Sequence, residues 1–185
     1  NVEEETKSVK ENKPFPIRFD KTGNFKFQDR TFSLRLTELT EPWYLANWGQ
    51  NTKNQDTILL PPNGNAQGYY EENVGIIINQ GCGTACSFVT IFLPNTTKTL
   101  RFQNPLLIQM KDSLIVFRRE DSTLIIQNFI SKKQQKLDPS FFPSLYSGFL
   151  LDSISIHSND TLFIEGQNRD GDKVQNHVKL NLKIR

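Results

Sequence analysis

The chain has 185 residues and a net charge of +2, with 36% hydrophobic and 23% charged residues. A chain of this length fits one domain with a real core, so its folding requires neither metals nor many disulfides. The Lys and Arg residues are dispersed, which argues against nucleic-acid binding, because that function usually gathers basic residues on one face. The longest apolar run, residues 88–94, is far shorter than the roughly 20 residues that span a bilayer.

The first thirteen residues are almost all charged or polar. Such a composition cannot bury enough surface to offset the entropy of ordering, so we expect a flexible N-terminal arm over residues 1–13. We expect the remainder, residues 14–185, to form a single β-rich domain. Because the sequence does not begin with Met, we also expect the arm to follow a precursor segment that carries a signal sequence or a lipid anchor.

Two kinds of apolar pattern predict strands in the N-terminal half. Residues 24–37 (NFKFQDRTFSLRLT) alternate apolar with polar side chains, which places one set on a buried sheet face. The polar residues 28–30 lie between the two arms of this pattern, and they predict a hairpin. Residues 74–78 (VGIII) and 88–93 (FVTIFL) are apolar without alternation, as is typical of central strands covered on both faces.

The C-terminal half repeats a third pattern, in which an Asp or Asn with Ser or Thr precedes a short apolar strand. This pattern occurs at residues 112–117, 121–126, 152–156 and 159–164. The spacing of the first two copies predicts a meander, in which consecutive strands are joined by tight turns. Asp170 and Gly171 predict a hairpin that pairs residues 161–166 with a final strand within 173–184.

These patterns predict an all-β fold, an antiparallel sandwich or open barrel with meander hairpins and one or two short helical turns. The helical turns are expected near residues 37–48 and within 139–150, where prolines keep any helix short. Residues 47–67, rich in Asn, Gln, Gly and Pro, are predicted to form the longest loop. Propeller-like hairpins are an alternative, although this length allows only about four blades of the usual size.

Both cysteines lie in the stretch GCGTAC, where three residues separate Cys82 from Cys86. A disulfide needs Cα atoms about 4.4–6.8 Å apart, whereas residues four apart in a strand are separated by about 13 Å. We therefore expect a disulfide that closes a sharp reversal between two central strands, in an oxidising compartment. Free buried thiols, a redox-active pair, and a metal-binding or nucleophilic cysteine are the alternatives.

The segment GCGTAC, preceded by VGIIINQ and followed by FVTIFLP, resembles the G-C-G-T-x-C segment of small uncharacterised exported bacterial proteins. The resemblance covers about residues 68–126. In this chain NTTK at residues 95–98 stands where that group has a glycine-containing turn. The resemblance implies export and β structure, and it implies no activity.

Aromatic side chains are concentrated in WYLANW, residues 43–48, and after the polar loop that follows it. Their rings could stack on a sugar or anchor a protein partner, because they combine a large apolar area with a polar tip. The alternative is that they cap an open end of the core. The candidate ligand-binding residues are Trp43, Tyr44, Trp48, Tyr69 and Tyr70.

The other polar residues match no catalytic motif. Alternation places Ser153, Ser155 and His157 on one strand face, but the sharp G-x-S-x-G turn of a serine nucleophile is absent from the sequence. Asp170 and Asp172 are spaced like calcium ligands, but the distal glutamate of a calcium loop is missing and a hairpin turn explains both residues. We therefore predict no catalytic residue, no metal and no cofactor.

The predicted function is a non-catalytic one, that of a binding or structural β-domain in the periplasm or on the surface of a bacterium. The expected partner is a glycan or an envelope protein. Three alternatives stay open. A carbohydrate- or peptidoglycan-binding module would use the aromatic residues, an inhibitor of a periplasmic hydrolase would present a rigid loop, and a thiol-redox protein would use the two cysteines.

Overall fold

The computed structural model describes residues 14–60, 66–83, 86–119, 123–137, 150–157, 161–167 and 171–181. At residues 82–83, 150–157, 164, 166 and 167 it describes the backbone alone. The predicted arm at 1–13 lies outside the described residues, as do residues 138–149, where a helical turn is predicted, and Asp170.

Four antiparallel sheets contain all the described strands, which confirms the predicted all-β sandwich, and none of these sheets closes into a barrel. The first sheet holds β2 (Asn24–Gln28), β3 (Ser33–Thr40), β4 (Trp43–Gly49) and β5 (Asn54–Leu59). The second holds β1 (Phe15–Pro16), β6 (Gln67–Glu71), β7 (Gly75–Gly83), β8 (Cys86–Phe92) and β9 (Leu100–Gln103). The third holds β10 (Pro105–Gln109), β11 (Leu114–Arg118), β12 (Leu124–Asn128) and β13 (Gln134–Leu137). The fourth holds β14 (Leu150–His157), β15 (Thr161–Gln167) and β16 (Lys173–Lys179).

The first sheet confirms the hairpin predicted over residues 24–37, because β2 pairs with β3 in antiparallel register. The helical turn predicted near residues 37–48 is wrong, since that segment forms β3 and β4. Tyr44, Ala46 and Trp48 are buried at alternate positions, which is the period of a strand and not of a helix. A single 3₁₀ turn follows at Gln50–Thr52.

The long loop predicted over residues 47–67 is also wrong, because β5 occupies its centre. This strand pairs with β4 from Trp48 opposite Asn54 to Trp43 opposite Leu59. Few of its side chains are apolar, so the sequence alone gives little sign of it. It is held as an edge strand by its ladder with β4.

The four sheets pack on one another as successive layers, and three clusters of buried side chains lie between them. Leu34, Leu36 and Trp48 of the first sheet pack with Ile76 and Ile78 of the second. A second cluster joins the second sheet to the third. The third cluster lies between the third and fourth sheets and includes the buried Leu162 and Leu180. Therefore the first sheet is an outer layer, whereas the second and third are inner ones.

Strands β7 and β8 confirm the prediction of central strands covered on both faces. Ile76 and Ile78 face the first sheet, while Ile77 between them packs toward the third. All three are buried, as consecutive apolar residues must be when neither face meets water. The two strands form a hairpin in which Gly83 pairs with Cys86, so the chain reverses sharply within this stretch.

The third sheet confirms the predicted meander, because β11 and β12 are antiparallel neighbours over their full length. The predicted pairing of residues 161–166 with a final strand is also confirmed, by the ladder between β15 and β16. The turn predicted at Asp152 and Ser153, from the repeated Asp/Asn–Ser/Thr pattern, is wrong. Asp152 and Ser153 lie inside β14, at an irregularity in its pairing with β15, and not in a turn.

The edges of the first and second sheets are joined by polar contacts. Asp56 on β5 accepts hydrogen bonds from the backbone N–H and the hydroxyl of Thr99, at 3.1 and 2.7 Å. Arg101 on β9 lies 3.9 Å from the same carboxylate and also donates to the carbonyl of Thr57. Burial would raise the pKa of Asp56, but the hydrogen bonds and the arginine outweigh it, so this pKa is lowered.

Candidate binding face

The first sheet has one face in the core and one face toward solvent, as the alternation of its residues requires. Its strands alternate buried with exposed or half-buried positions along β2, β3 and β4. We call the solvent side the outer face. Its residues are Lys26, Gln28, Ser33, Arg35, Thr37, Trp43, Leu45, Asn47, Gln55 and Thr57.

A groove of about 560 Å³ lies at one end of the outer face. The turn between β2 and β3, at residues 29–32, forms one wall, and the 3₁₀ turn at Gln50–Thr52 forms another. Most of the side chains between these walls carry amides, hydroxyls or charges. The polar residues that define this cationic groove are Lys26, Gln28, Arg30, Arg35, Asn47 and Asn51.

The pairing of the strands sets the order of side chains across the outer face. Lys26 lies opposite Arg35, Arg35 opposite Asn47, and Asn47 opposite Gln55. Gln55 donates a hydrogen bond of 3.1 Å from its amide nitrogen to the side-chain oxygen of Asn47. This bond leaves the amide nitrogen of Asn47 as the group that can donate to a ligand.

Among the described residues, Asp29 is the one carboxylate that lines the groove. Its Oδ1 accepts a hydrogen bond of 3.3 Å from the hydroxyl of Tyr70, whose oxygen also lies 3.1 Å from the hydroxyl of Thr31. Burial raises the pKa of Tyr70; the contact with Thr31 opposes this, and the negative charge of Asp29 adds to the rise. The phenol is therefore a donor to Asp29 at neutral pH, and this hydrogen bond links the turn to the second sheet.

The sequence predicts that the five candidate aromatic residues lie together at a loop, but they do not. All of them lie on strands, three on β4 and two on β6. Trp48 is 0% exposed, and its indole N–H donates a hydrogen bond of 2.9 Å to the carbonyl of Leu93. Tyr44 is buried and stacks on Phe19, with ring centroids 4.5 Å apart, and burial raises its pKa. Both side chains are therefore part of the packed core between the first and second sheets.

Trp43 differs from the other aromatic residues of β4. It is 45% exposed and lies on the outer face, four residues along the strand from Asn47. At about 3.3 Å per residue, its backbone lies about 13 Å from that of Asn47. A flat apolar ring and the cationic groove therefore lie on the same solvent-facing surface.

The two tyrosines of β6 belong to other surroundings. Tyr70 packs against Phe27 and Phe32 at the margin of the core between the first two sheets. Tyr69 lines a separate cleft of about 340 Å³ between the second and third sheets. Most of the residues that line the cleft are apolar, and β10 forms one of its sides. The sequence gives no sign of it, because the chain segments that meet there are far apart.

The cysteine hairpin lies on the second sheet, away from the outer face. Cys86, which begins β8, is disulfide-bonded. Cys82 is the other cysteine of the sequence, and its side chain lies outside the described residues. Next to Cys86, the backbone N–H of Ser87 donates a hydrogen bond of 2.8 Å to Asn104, which ties the hairpin to the junction of β9 and β10.

The histidines and carboxylates show no metal-binding arrangement in the described part of the chain, where no group of three or more His, Cys, Asp or Glu side chains is placed to share an ion. His177 is exposed on β16, its ring 6.2 Å from that of Phe163. The backbone of His157 ends β14, and with Ser153 and Ser155 it has its side chain outside the described residues.

Comparison with protein-family models, with curated proteins and with solved structures finds no match for this chain. Within the residues that the structure describes, no helix has the length and the apolar character needed to cross a membrane. The described features that bear on function are the outer face, the cationic groove and the hairpin that contains Cys86.

Proposed function

We propose that the chain is a non-catalytic binding domain of an exported bacterial protein, and that the outer face of the first sheet recognises a glycan. The observation that carries the proposal is the exposure of Trp43 on the same face as the cationic groove. A buried tryptophan would be explained by the core alone. Trp43, by contrast, presents a ring that is 45% exposed on the face that holds the groove, where it can stack on a ligand.

The chemistry of the face suits a sugar. The apolar side of a pyranose ring stacks on an indole, while its hydroxyls need amide and hydroxyl partners. Asn47, Gln55 and Gln28 supply amides on the outer face. The separation of about 13 Å between Trp43 and Asn47 leaves room for a short oligosaccharide that contacts both.

The two tryptophans make the proposal testable by fluorescence. Trp43 is exposed and Trp48 is fully buried, so a ligand on the outer face alters the emission of Trp43. We expect a quench or shift on titration with the glycan that binds, the loss of this response in Trp43→Phe, and the loss of binding by calorimetry in Trp43→Ala. The matched control is Phe163→Ala, which removes a ring that is 38% exposed on the fourth sheet.

Two results would contradict the proposal. One is a broad set of neutral and charged glycans in which no member binds the wild-type protein. The other is a glycan that binds Trp43→Ala as tightly as the wild type. The control Phe163→Ala should retain wild-type affinity, and a loss in that variant would indicate a site on the fourth sheet instead.

We also propose export, with Cys86 bonded to Cys82 across the reversal between β7 and β8. Support comes from the disulfide at Cys86 and from the register that pairs Gly83 with Cys86. The resemblance of GCGTAC to exported bacterial proteins points the same way. A five-residue ring of this kind contributes about 2 kcal/mol in the chain-entropy model.

Alkylation followed by mass spectrometry tests the pairing. Protein made in an oxidising compartment should take up no alkylating label until a strong reductant is added, and two labels without reductant would contradict a disulfide. A glutathione buffer separates a structural bond from a redox centre, because structural disulfides resist the glutathione pool. Ready reduction in that buffer would favour the thiol-redox alternative.

A further inference from the structure

We propose that the glycan recognised by the outer face is anionic, with a carboxylate or sulfate group held between Lys26 and Arg35. This inference rests on the proposed function, because it names the chemical class of a ligand for the same face. It comes from the charges of the cationic groove and from the register of β2 and β3.

The first observation is a pair of like charges at one position of the ladder. Lys26 and Arg35 are directly opposite each other on neighbouring strands, and both are exposed. Side chains that face each other in this way have Cβ atoms about 4.5–5.5 Å apart, and like charges there are destabilising. A carboxylate at one of these positions would make the hairpin more stable.

The second observation is that, among the described residues, Lys26 and Arg35 have no acidic neighbour in their own row of the sheet. The neighbours in the same row of the sheet are the amides Asn47 and Gln55. The ion pair of Arg101 with Asp56 lies outside the groove. The carboxylate of Asp29 lines the groove but bonds to Tyr70.

The third observation concerns the balance of charge. Three cationic side chains, Lys26, Arg30 and Arg35, line the groove against the one carboxylate of Asp29, a surplus of two positive charges. The whole chain of 185 residues also has a net charge of only +2. The sequence shows no basic run because these three cations come together only when β2 pairs with β3.

An anionic group between Lys26 and Arg35 removes their repulsion and makes charge-assisted hydrogen bonds. Arginine presents a planar fork that matches carboxylate or sulfate oxygens, and lysine adds a point charge beside it. The amide of Asn47, next to Arg35 in the ladder, can donate to a neighbouring sugar hydroxyl. The anion is thus fixed at one end of the saccharide, while Trp43 stacks on the other.

The test is binding to an immobilised panel that holds neutral saccharides, saccharides with carboxylates, the methyl esters of those carboxylates, and saccharides with sulfates. We expect binding to charged members, at least about tenfold weaker binding to the methyl esters, and a loss of affinity as salt rises. The double variant Lys26→Gln/Arg35→Gln should lose binding by about tenfold or more. The carboxylated and sulfated members distinguish the two sources of negative charge.

A matched control removes the same amount of charge elsewhere. Lys133 and Lys136 are exposed on the third sheet and its turn, so Lys133→Gln/Lys136→Gln changes the net charge equally but leaves the outer face intact. This control should bind charged saccharides as the wild type does. Because Lys26 and Arg35 are exposed, the test variant should also keep its fold, which circular dichroism and thermal unfolding check.

The possible outcomes separate this inference from the proposed function. Binding to neutral members or methyl esters as tightly as to charged ones, unchanged in the Lys26→Gln/Arg35→Gln variant, would overturn the anionic ligand but keep the glycan-binding face. Equal losses in the test and control variants would overturn it as well, because they would indicate an effect of net charge. No binding to any member would overturn both.

Discussion

The first sheet and strands β6 to β9 of the second are both antiparallel meanders, but their surroundings differ. The second sheet has layers on both of its faces, and its central strand places Ile76, Ile77 and Ile78 in the core at consecutive positions. The first sheet has a layer on one face, so its strands alternate buried apolar residues with polar ones. Packing therefore fixes nearly every residue at the centre of the second sheet and only every other residue in the first.

This difference in burial separates side chains that are set by packing from side chains that can serve a ligand. On an inner sheet, packing accounts for the identity of the side chains, so these side chains carry little information about a ligand. On the outer face of the first sheet, packing does not explain an exposed Trp43, nor a Lys26 that faces Arg35. The proposed binding role would account for these two features.

Replacement of the two tryptophans of β4 should give the largest difference in stability between a core position and an outer-face position. Trp48→Ala should lower the free energy of unfolding by about 3–5 kcal/mol, because it empties a fully buried site, breaks the hydrogen bond to Leu93 and removes an edge-on contact with Phe92. Trp43→Ala should lower it by less than about 1 kcal/mol, since nearly half of that side chain is already in water. Urea unfolding at neutral pH measures both.

A similar loss of stability in the two variants would contradict this difference between the sheets, since it would mean that the outer face is also part of the packed structure. A large loss in Trp43→Ala together with no effect on ligand binding would support the core-capping alternative for this residue as well.

A glycine of the second sheet gives the next effect. Gly75 has a φ of +110°, and a Cβ at this position would collide with the carbonyl oxygen of Phe92 on the neighbouring strand. Gly75→Ala should therefore destabilise the fold through backbone strain of about 1–3 kcal/mol and overpacking of a similar size. Thermal unfolding measures the change.

The matched control lies on the same strand. Gly81 has no positive φ, and a Cβ there would meet no atom within 4 Å. Gly81→Ala should leave the stability within about 0.5 kcal/mol of the wild type. Equal effects of the two substitutions would show that the close approach of β7 to β8 is not the reason why position 75 requires glycine.

The contact between the two sheets at Asp56 should make stability depend on pH. The pKa of Asp56 is lowered in the folded state from an ordinary value of 3.8, so its contribution is fully present above that value. The contribution is lost as the pH falls through the lowered pKa. Asp56→Asn should cost about 1–3 kcal/mol at pH 7, and the difference from the wild type should shrink in acid.

A double-mutant cycle with Thr99→Val tests whether this cost belongs to the contact. Thr99 donates its hydroxyl to the carboxylate of Asp56, so the effects of the two substitutions should be less than additive. Additive effects, or a cost of Asp56→Asn that stays constant from pH 7 to pH 3, would show that the two sheets are not joined in this way.

Much of the fold could be predicted from the sequence because local patterns reflect burial. Consecutive apolar residues at 74–78 and 88–93 predicted the inner strands, and alternation at 24–37 predicted the first hairpin. Strand β4 was missed for a physical reason. Trp43 and Leu45 point outward, yet both are apolar, so the alternation with Tyr44 and Ala46 is hidden.

The candidate site was only partly predictable. The sequence singled out Trp43 but grouped it with Trp48, because composition does not tell which side of a strand meets water. Lys26 and Arg35 are nine residues apart and look dispersed. Only the register of the hairpin brings them together, since a turn over residues 29–32 places position 26 opposite position 35.

The smallest predicted effect is a gain in stability on the outer face. Lys26→Glu replaces a repulsive pair with an attractive one opposite Arg35, and it should raise the free energy of unfolding by about 0.2–1 kcal/mol. Lys26→Gln, which only removes the repulsion, should give a smaller gain. High salt should diminish both gains, because the charges are exposed. Unfolding at low and high ionic strength is the measurement.

The same substitution should abolish binding of charged saccharides while it stabilises the fold. A residue whose removal improves stability and impairs binding is maintained by function and not by packing, in contrast to Ile77 on the inner sheet, where any loss of volume costs stability. A loss of stability in Lys26→Glu would mean that the lysine serves the sheet itself, and the difference between the two sheets would then be one of burial alone.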